Sequence, residues 1–170
     1  MSDTAAYWCS ECWKRHELPP QRTVKCPDCG ERLRRCSRYE WFLIDALDMA
    51  LKATGRNYKI VPQYPIDDHR GFTWYWDVYV WVDGTSPYGG AGALIDVDGP
   101  DHSRQKKYTG PGGGYTRDRD KVWETNQLRL HRRGIHHEKV TNDDCRLKGR
   151  VVFATAGSIV KRLVASAGPT

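Results

Sequence analysis

Two pairs of cysteines near the N-terminus constrain the fold of this chain more than any other feature of its sequence. Cys9 and Cys12 form the first pair, Cys26 and Cys29 form the second, and thirteen residues lie between the pairs. A CxxC pair can place two thiolates on one metal ion, and the intervening segment is long enough for a β-hairpin to bring the pairs together. The four thiols therefore predict a closed, tetrahedral Zn²⁺ site.

The cysteine pattern resembles a zinc ribbon, which we assign to residues 1–36. So short a segment buries too little apolar surface to fold alone, so bound zinc is expected to supply its stability. A redox role for the cysteine pairs is the weaker interpretation, because the two pairs occur together without a βαβ pattern. His16 and Cys36 could each replace a ligand, whereas Cys145 lies far along the chain and is interpreted as an ordinary thiol.

Aromatic rings and basic side chains alternate along this N-terminal segment. Such a surface suits stacking on bases and contact with phosphates, so we interpret the segment as a DNA-contacting module. A purely structural or protein-docking ribbon is the alternative. The residues concerned are Trp8, Trp13, Lys14, Arg15, Arg22, Lys25, Arg32, Arg34, Arg35 and Arg38.

A helix is predicted directly after the ribbon. Ser37 and Glu40 have capping-box spacing, apolar residues then recur every three or four positions, and the pattern ends at Gly55. The carboxylate of Glu40 then has two possible roles. It could reach back to the backbone of Ser37, or it could lean from the first turn of the helix toward a metal ion.

Three strands are predicted next, over residues 58–66, 72–82 and 91–97. Strict alternation in the second strand places Trp76 and Val78 on one face and Asp77, with its neighbouring tyrosines, on the other. An exposed strand acid is the simple interpretation of Asp77. Its flanking tyrosines indicate a partly enclosed face, where an unpaired carboxylate would be costly and a bound cation would remove that cost.

The third strand ends in two more acids. Asp96 and Asp98 share a face because side chains alternate with a period of two, and two carboxylates that close repel unless a positive charge lies between them. Together with Asp77 they predict a Mg²⁺ site, since Mg²⁺ takes a few carboxylate oxygens and completes its shell with water and phosphate oxygens. Phosphodiester cleavage is the chemistry that such a site favours. The remaining ligand spacing of an EF-hand calcium loop is missing.

Charge is distributed unevenly along the 170 residues, whose net charge is +6. Counting lysine, arginine, aspartate and glutamate gives +3 for residues 1–38, −6 for residues 39–101 and +9 for residues 102–170. Basic flanks around an acidic centre suit a protein that acts on a polyanion. The alternative is a solvated surface with no such partner.

The sequence contains no apolar stretch near the ~20 residues that span a bilayer, and its N-terminus lacks the basic-then-apolar pattern of a signal peptide. We therefore expect a cytoplasmic protein without a membrane partner. Residues 102–118 form a basic, glycine-rich segment that is predicted to be a functional loop near phosphates. A helix over 120–133, a strand over 135–141 and a final helix over 151–165 are predicted to follow.

The order of these elements resembles the PD-(D/E)XK nuclease superfamily. The similarity is to its small single-domain branch, which includes the very-short-patch mismatch-repair endonucleases and certain phage homing endonucleases. It covers roughly residues 39 to 141, and it rests on an ordered set of residues, since no single motif would carry it. The matching residues are Glu40, the strand 61–66, Asp77, Asp96, Asp98, His102, Arg119, Asp120, Lys121, Asn126, Leu130, Gly134 and Ile135.

The resemblance implies a restriction-endonuclease-like α/β domain over residues 37–170, with a central mixed sheet of four or five strands flanked by helices. It also implies a Mg²⁺-dependent endonuclease acting on double-stranded DNA. Asp77 and Asp96 would hold Mg²⁺, with Asp98 and Glu40 as direct or water-mediated ligands.

The chain departs from the common pattern of this superfamily at two positions. Asp96 stands where glutamate is more usual, and Asp98 stands where the signature has lysine, so His102 or Lys121 would have to supply the missing positive or basic group. Two other functions stay open. One is a structure-selective junction resolvase, which would need a homodimer for paired cuts. The other is a non-catalytic zinc-ribbon protein that only binds DNA.

Overall fold

A small three-stranded sheet leads into a four-stranded sheet that two helices cover on one face. The structure, a computed structural model, describes residues 4–67, 73–83, 91–98, 135–147 and 150–168. The predicted loop over 102–118 and the predicted helix over 120–133 lie outside the described residues.

The N-terminal ribbon, residues 4–36, contains strands β1 (Ala5–Cys9), β2 (Lys14–Leu18) and β3 (Arg34–Arg35). Their order is β2-β1-β3, and both pairs are antiparallel. Tight turns return the chain at each cysteine pair. Trp13 has a φ of 55° after the first pair, and Gly30 has a φ of 78° after the second, a backbone region that glycine reaches without strain.

Helix α1 (Arg38–Lys52) begins where its capping box predicts. Ser37 is the N-cap, its side chain accepts from the backbone N–H of Glu40, and the Glu40 side chain accepts from the backbone N–H of Ser37. The apolar positions at helical spacing, including Leu43, Leu47 and Leu51, are buried. The sequence prediction of this helix and its cap is therefore confirmed.

The main sheet contains β4 (Tyr58–Asp67), β5 (Thr73–Val82), β6 (Ala91–Asp98) and β7 (Ile135–Thr141). The strand order is β4-β5-β6-β7; the first two pairs are antiparallel and the β6–β7 pair is parallel. Helix α2 (Val151–Ala167) packs beside α1 on the same face. The described chain is thus an α/β fold with a mixed four-stranded sheet.

Alternation in β5 is interrupted at Asp77. Val78 packs in the core beneath the helices, whereas Trp76 belongs to a second cluster with Tyr79 on the outer face of the sheet. The prediction that Trp76 and Val78 share a face is therefore wrong. The cross-strand pairs keep one register on both sides of this position, so the change of face is a local change of backbone conformation and the strands do not slip.

The neighbouring strand β4 has an irregular backbone at the matching position. Val61 and Tyr64 both contribute to the outer cluster although three positions separate them, and Gln63 between them has a φ of 51°. A positive φ is uncommon for a residue other than glycine. The flanking cross-strand pairs of β4 and β5 put Gln63 opposite Asp77, so the two irregular positions face each other.

The ribbon is packed against the main sheet and α1. Cys36 at its end is 3% exposed within the helix-side core, and its backbone N–H donates to the Ala6 carbonyl at 3.3 Å. Ala6 and Trp8 of β1 also pack on this core. The ribbon's last residue is therefore buried between the two units, immediately before the cap of α1.

Three basic side chains lie over aromatic rings at the ribbon interface. The Arg15 guanidinium is 4.3 Å from the Trp41 ring centre, and the Arg34 guanidinium is 3.2 Å from that of Tyr75. In the reverse direction, the Lys59 ammonium lies 3.4 Å from the ring centre of Trp13. Such contacts are worth about 0.5–2 kcal/mol each, more when desolvated. Three residues that the sequence assigned to DNA contact thus join the ribbon to the rest of the protein. They are Trp13, Arg15 and Arg34.

Candidate metal centres

The four ribbon cysteines bring their sulfur atoms within 4.8 Å of one another. The Sγ atoms of Cys9 and Cys29 are 3.6 Å apart, and those of Cys12 and Cys26 are 3.8 Å apart. A tetrahedral ion with Zn–S bonds of about 2.3 Å has ligand edges of about 3.8 Å. These cysteines could therefore hold a zinc ion, as their spacing predicts.

Backbone N–H groups surround the thiols as they do in metal knuckles. The N–H of Cys12 points at the Cys9 sulfur at 3.4 Å. Burial acts to raise the pKa of the Cys26 thiol, but hydrogen bonds from the backbone of Cys29 and Asp28 and from the Cys9 and Cys29 thiols together outweigh it and lower the pKa to about 6. Because a thiolate is the form that ligates metal, this favours metal binding at Cys26, whereas hydrogen bonding with Cys29 and burial raise the pKa of the Cys12 thiol.

The two substitute ligands considered from the sequence have different surroundings. The His16 Nε2 atom lies 3.4 Å from the Cys26 sulfur, and His16, Cys26 and Asp28 form a second group whose ligand atoms are mutually within 4.8 Å. His16 is thus beside the thiol cluster. Cys36 lies instead in the core of the main sheet, where burial strongly raises the pKa of its thiol.

Glu40 caps the helix with one carboxylate oxygen and contacts β4 with the other. Its Oε1 accepts from the backbone N–H of Ser37 at 3.1 Å, and its Oε2 accepts from the Gln63 amide at 2.9 Å. The side chain is buried, and the residue is 8% exposed. The capping role and a position facing the sheet are therefore compatible.

Gln63 is a site residue that sequence reasoning did not single out. Its Nε2 donates to Glu40 and also lies 3.5 Å from Oδ1 of Asp77. The amide thus stands between two carboxylates, where its hydrogens partly offset their repulsion. The only signal in the sequence was a polar residue inside an apolar strand, and its importance depends on the left-handed backbone that turns it toward α1.

Asp77 and Glu40 are electrostatically linked. The other oxygen of Asp77, Oδ2, accepts from the backbone N–H of Val97 at 2.7 Å, which holds the carboxylate against β6. Burial and then the negative charge of Asp77 raise the pKa of Glu40 to about 7. A buried acid whose pKa is perturbed by a neighbouring carboxylate is a frequent feature of functional sites.

Asp96 belongs to a different group of side chains. Its neighbours Ile95 and Val97 face the helices, so Asp96 lies on the outer face, where its Oδ2 is 3.6 Å from His137 Nε2. The His137 ring packs edge-on against Trp76, with ring centres 4.6 Å apart. Sequence reasoning missed His137 because its proximity follows from the parallel pairing of β6 and β7.

The side chains of three predicted site residues lie outside the part of the chain that the structure describes. Asp98 ends β6, but its side chain lies outside the described residues, as do His102 and Lys121. Among the side chains that the structure does describe, Glu40, Asp77 and Asp96 do not form a group of three ligand atoms within 4.8 Å. Mg²⁺ is commonly bound through one or two carboxylates, so its binding by Glu40 and Asp77 stays a prediction.

No protein-family model matches the chain, and neither a curated protein nor a solved structure matches it significantly. The similarity to the PD-(D/E)XK superfamily therefore stays a prediction. Within the described part of the chain, neither helix has the length and apolar character needed to cross a bilayer.

Proposed function

We propose that this protein is a metal-dependent endonuclease that hydrolyses phosphodiester bonds in DNA. The observation that carries the proposal is the buried acid Glu40 beside the half-buried Asp77, with the Gln63 amide between them. Burying Glu40 next to a second carboxylate costs stability, because burial and then the charge of Asp77 raise the pKa of Glu40. A site for a divalent cation would justify that cost.

The chain's own groups have separable roles in this proposal. Glu40 and Asp77 would hold Mg²⁺, and the backbone N–H of Val97 keeps Asp77 oriented. Bound Mg²⁺ would polarise a phosphate oxygen and lower the pKa of a water molecule. Asp96 and His137 lie on the outer face of the sheet, away from Glu40, so they take no part in this chemistry. The zinc ribbon would support α1 and contact DNA.

Cleavage of supercoiled plasmid by the zinc-loaded protein, with and without added Mg²⁺, tests this function. Asp77→Asn removes the charge of one proposed ligand and should slow cleavage by about 100-fold or more. Asp143→Asn is a matched control, because Asp143 is an exposed acid that pairs with Arg146 at 2.6 Å, far along the chain. Equal cleavage by both variants would exclude Asp77 from the site.

A non-catalytic DNA-binding protein is the second candidate. One observation favours it: the predicted site acids with described side chains fall into two separate groups, Glu40 with Asp77 and Asp96 with His137. Tight binding of plasmid, junction and single-stranded DNA without cleavage of any of them, under all Mg²⁺ conditions, would establish this alternative.

A further inference from the structure

The basic side chains of the ribbon fall into two sets that the sequence does not distinguish. One set has partners within the protein: Lys14 with Asp28, Arg15 with Trp41 and Glu17, and Arg34 with Tyr75. The other set is exposed and makes no side-chain hydrogen bond, ion pair or ring contact with the described residues. Its members are Arg22, Lys25, Arg32 and Arg35.

Two members of the second set are held side by side. Lys25 and Arg32 are directly opposite each other across the short antiparallel bridge that carries the second cysteine pair. Backbone hydrogen bonds frame this bridge on both sides, from Leu33 N–H to Val24 carbonyl at 2.9 Å and from Cys26 N–H to Glu31 carbonyl at 2.7 Å. The flanking side chains of Val24, Cys26 and Leu33 are buried, so Lys25 and Arg32 face outward.

Like charges directly opposite each other across two strands destabilise the pair. Asp28 and Glu31 are the acids closest to Lys25 and Arg32 in the sequence, and they do not relieve this repulsion. Asp28 is bonded to Lys14 at 2.8 Å, and Glu31 makes no ion pair with the described residues. A ligand that carries closely repeated negative charges would relieve it. The phosphate backbone of a nucleic acid has this property, and guanidinium groups suit phosphate geometry.

We propose that Lys25 and Arg32, supported by Arg22 and Arg35, form a phosphate-binding surface for duplex DNA on the second cysteine hairpin of the ribbon. Arg15 and Arg34 instead anchor the ribbon on α1 and the main sheet. The choice of DNA as the polymer rests on the proposed function, but the surface itself does not depend on catalysis. Bound zinc would keep the hairpin rigid and so keep both charges in position before DNA arrives.

Binding of a fluorescent duplex, measured by anisotropy with zinc-loaded full-length protein and no Mg²⁺, tests the surface without any cleavage. Lys25→Ala/Arg32→Ala should weaken binding about tenfold or more at moderate salt and lower the slope of log K against log salt by roughly 2, since each phosphate contact contributes about 0.9. Lys25→Arg/Arg32→Lys should retain most of the affinity and the slope.

The control is Lys14→Ala/Arg146→Ala, which removes the same two charges from side chains that have acid partners in the protein. An equal loss of affinity in this control would overturn the proposal, because net charge alone would then explain binding. Loss of zinc from the Lys25→Ala/Arg32→Ala variant would also overturn it, since the two cations would then serve the thiolate cluster. Equally effective competition by polyglutamate would exclude a nucleic-acid surface.

The outcome is separate from that of the nuclease proposal. If the surface variant loses affinity while the wild-type protein cleaves no DNA, the surface stands and the nuclease proposal fails. If the wild-type protein cleaves and the variant binds as the wild type does, the surface proposal fails and the nuclease stands.

Discussion

The Glu40 side chain makes both a capping contact and a contact with the main sheet. It caps α1 with one oxygen and meets the Gln63 amide with the other, while the charge of Asp77 lies close by. Each of these contacts has a local cause, but their combination places an acid with a pKa of about 7 in the helix-side core. A single residue thus links helix initiation to the candidate Mg²⁺ centre.

The raised pKa of Glu40 predicts a pH-dependent stability in Mg²⁺-free protein. The folded protein holds a proton that the unfolded chain, with an ordinary glutamate pKa of 4.5, has already lost, so the contribution of Glu40 to stability is greatest at low pH and falls as pH rises toward 7. Between pH 5 and pH 8 the loss should be roughly 2–3 kcal/mol. Urea unfolding of the wild type against Glu40→Gln measures it, because glutamine can keep the capping box.

The difference between the two proteins isolates Glu40 from the pH dependence of zinc binding, which both share. If Glu40→Gln and the wild type lose stability in parallel across this range, the carboxyl group of Glu40 is not perturbed in the way we describe.

The Gln63 amide should stabilise the metal-free protein through the two carboxylates that it contacts. Gln63→Leu retains bulk but removes the donor, so we expect about 1–3 kcal/mol of destabilisation in urea unfolding at neutral pH. The loss should shrink at pH 5, where Glu40 is protonated and needs less compensation. Gln21→Leu, at an exposed ribbon position, is the control for a change of the same kind. A loss independent of pH would assign Gln63 a packing role only.

At the scale of elements, two glycines in regular structure illustrate opposite constraints. A Cβ atom on Gly92 in β6 would lie 2.9 Å from the Tyr79 hydroxyl and 3.1 Å from its ring, whereas a Cβ on Gly157 in α2 would have no neighbour within 4 Å. Gly92 therefore permits the close approach of a buried ring, whereas Gly157 lies at an exposed position of α2, where a methyl group would have room.

Substitution of each glycine by alanine should change stability in opposite directions. Gly92→Ala forces Tyr79 or the strand to shift and should cost about 1–3 kcal/mol. Gly157→Ala should raise the free energy of unfolding by roughly 0.5–1 kcal/mol, because alanine is the better helix former. Thermal unfolding of both variants beside the wild type checks the pair. A destabilised Gly157→Ala protein would mean that α2 has a neighbour at this position.

At the scale of the whole molecule, the ribbon and the α/β unit share a core. Trp8 packs on the helix-side core one residue before the ligand Cys9, and Cys36 is buried in that core one residue before the N-cap Ser37. The zinc cluster is thus connected by short, buried chain segments to the start of α1. Ordering of the ribbon and ordering of Glu40 are expected to be coupled.

Zinc removal should accordingly lower the stability of the α/β unit as well as that of the ribbon. We expect chelation, or a Cys12→Ser substitution, to lower the melting temperature and to reduce hydrogen-exchange protection of the backbone N–H groups of Glu40 and Trp41. Re-addition of Zn²⁺ should restore both in the wild type. Unchanged protection in α1 after complete zinc loss would show that the two units are independent.

Local chemistry in the sequence was sufficient for much of this architecture. The cysteine pairs, the capping box at Ser37 and Glu40, and the strand over 135–141 depend on neighbours a few residues apart, so their patterns correctly predicted a cluster of four cysteines that could hold zinc, α1 and β7. The alternating and helical apolar patterns likewise predicted an α/β fold with a mixed sheet. The identity of the ribbon's basic residues was also visible, but their division into anchors and exposed charges was not.

Tertiary structure alone decided which side chains meet. The irregular backbone at Gln63 and Asp77 places Asp77 near Glu40, and the parallel pairing of β6 with β7 brings His137 to Asp96. The sequence, read with strict alternation, placed Trp76 with Val78 and grouped Asp77 with Asp96. Strand pairing and left-handed backbone positions are set by packing between distant segments, and one irregular position reverses the faces of a strand without changing its composition or its register.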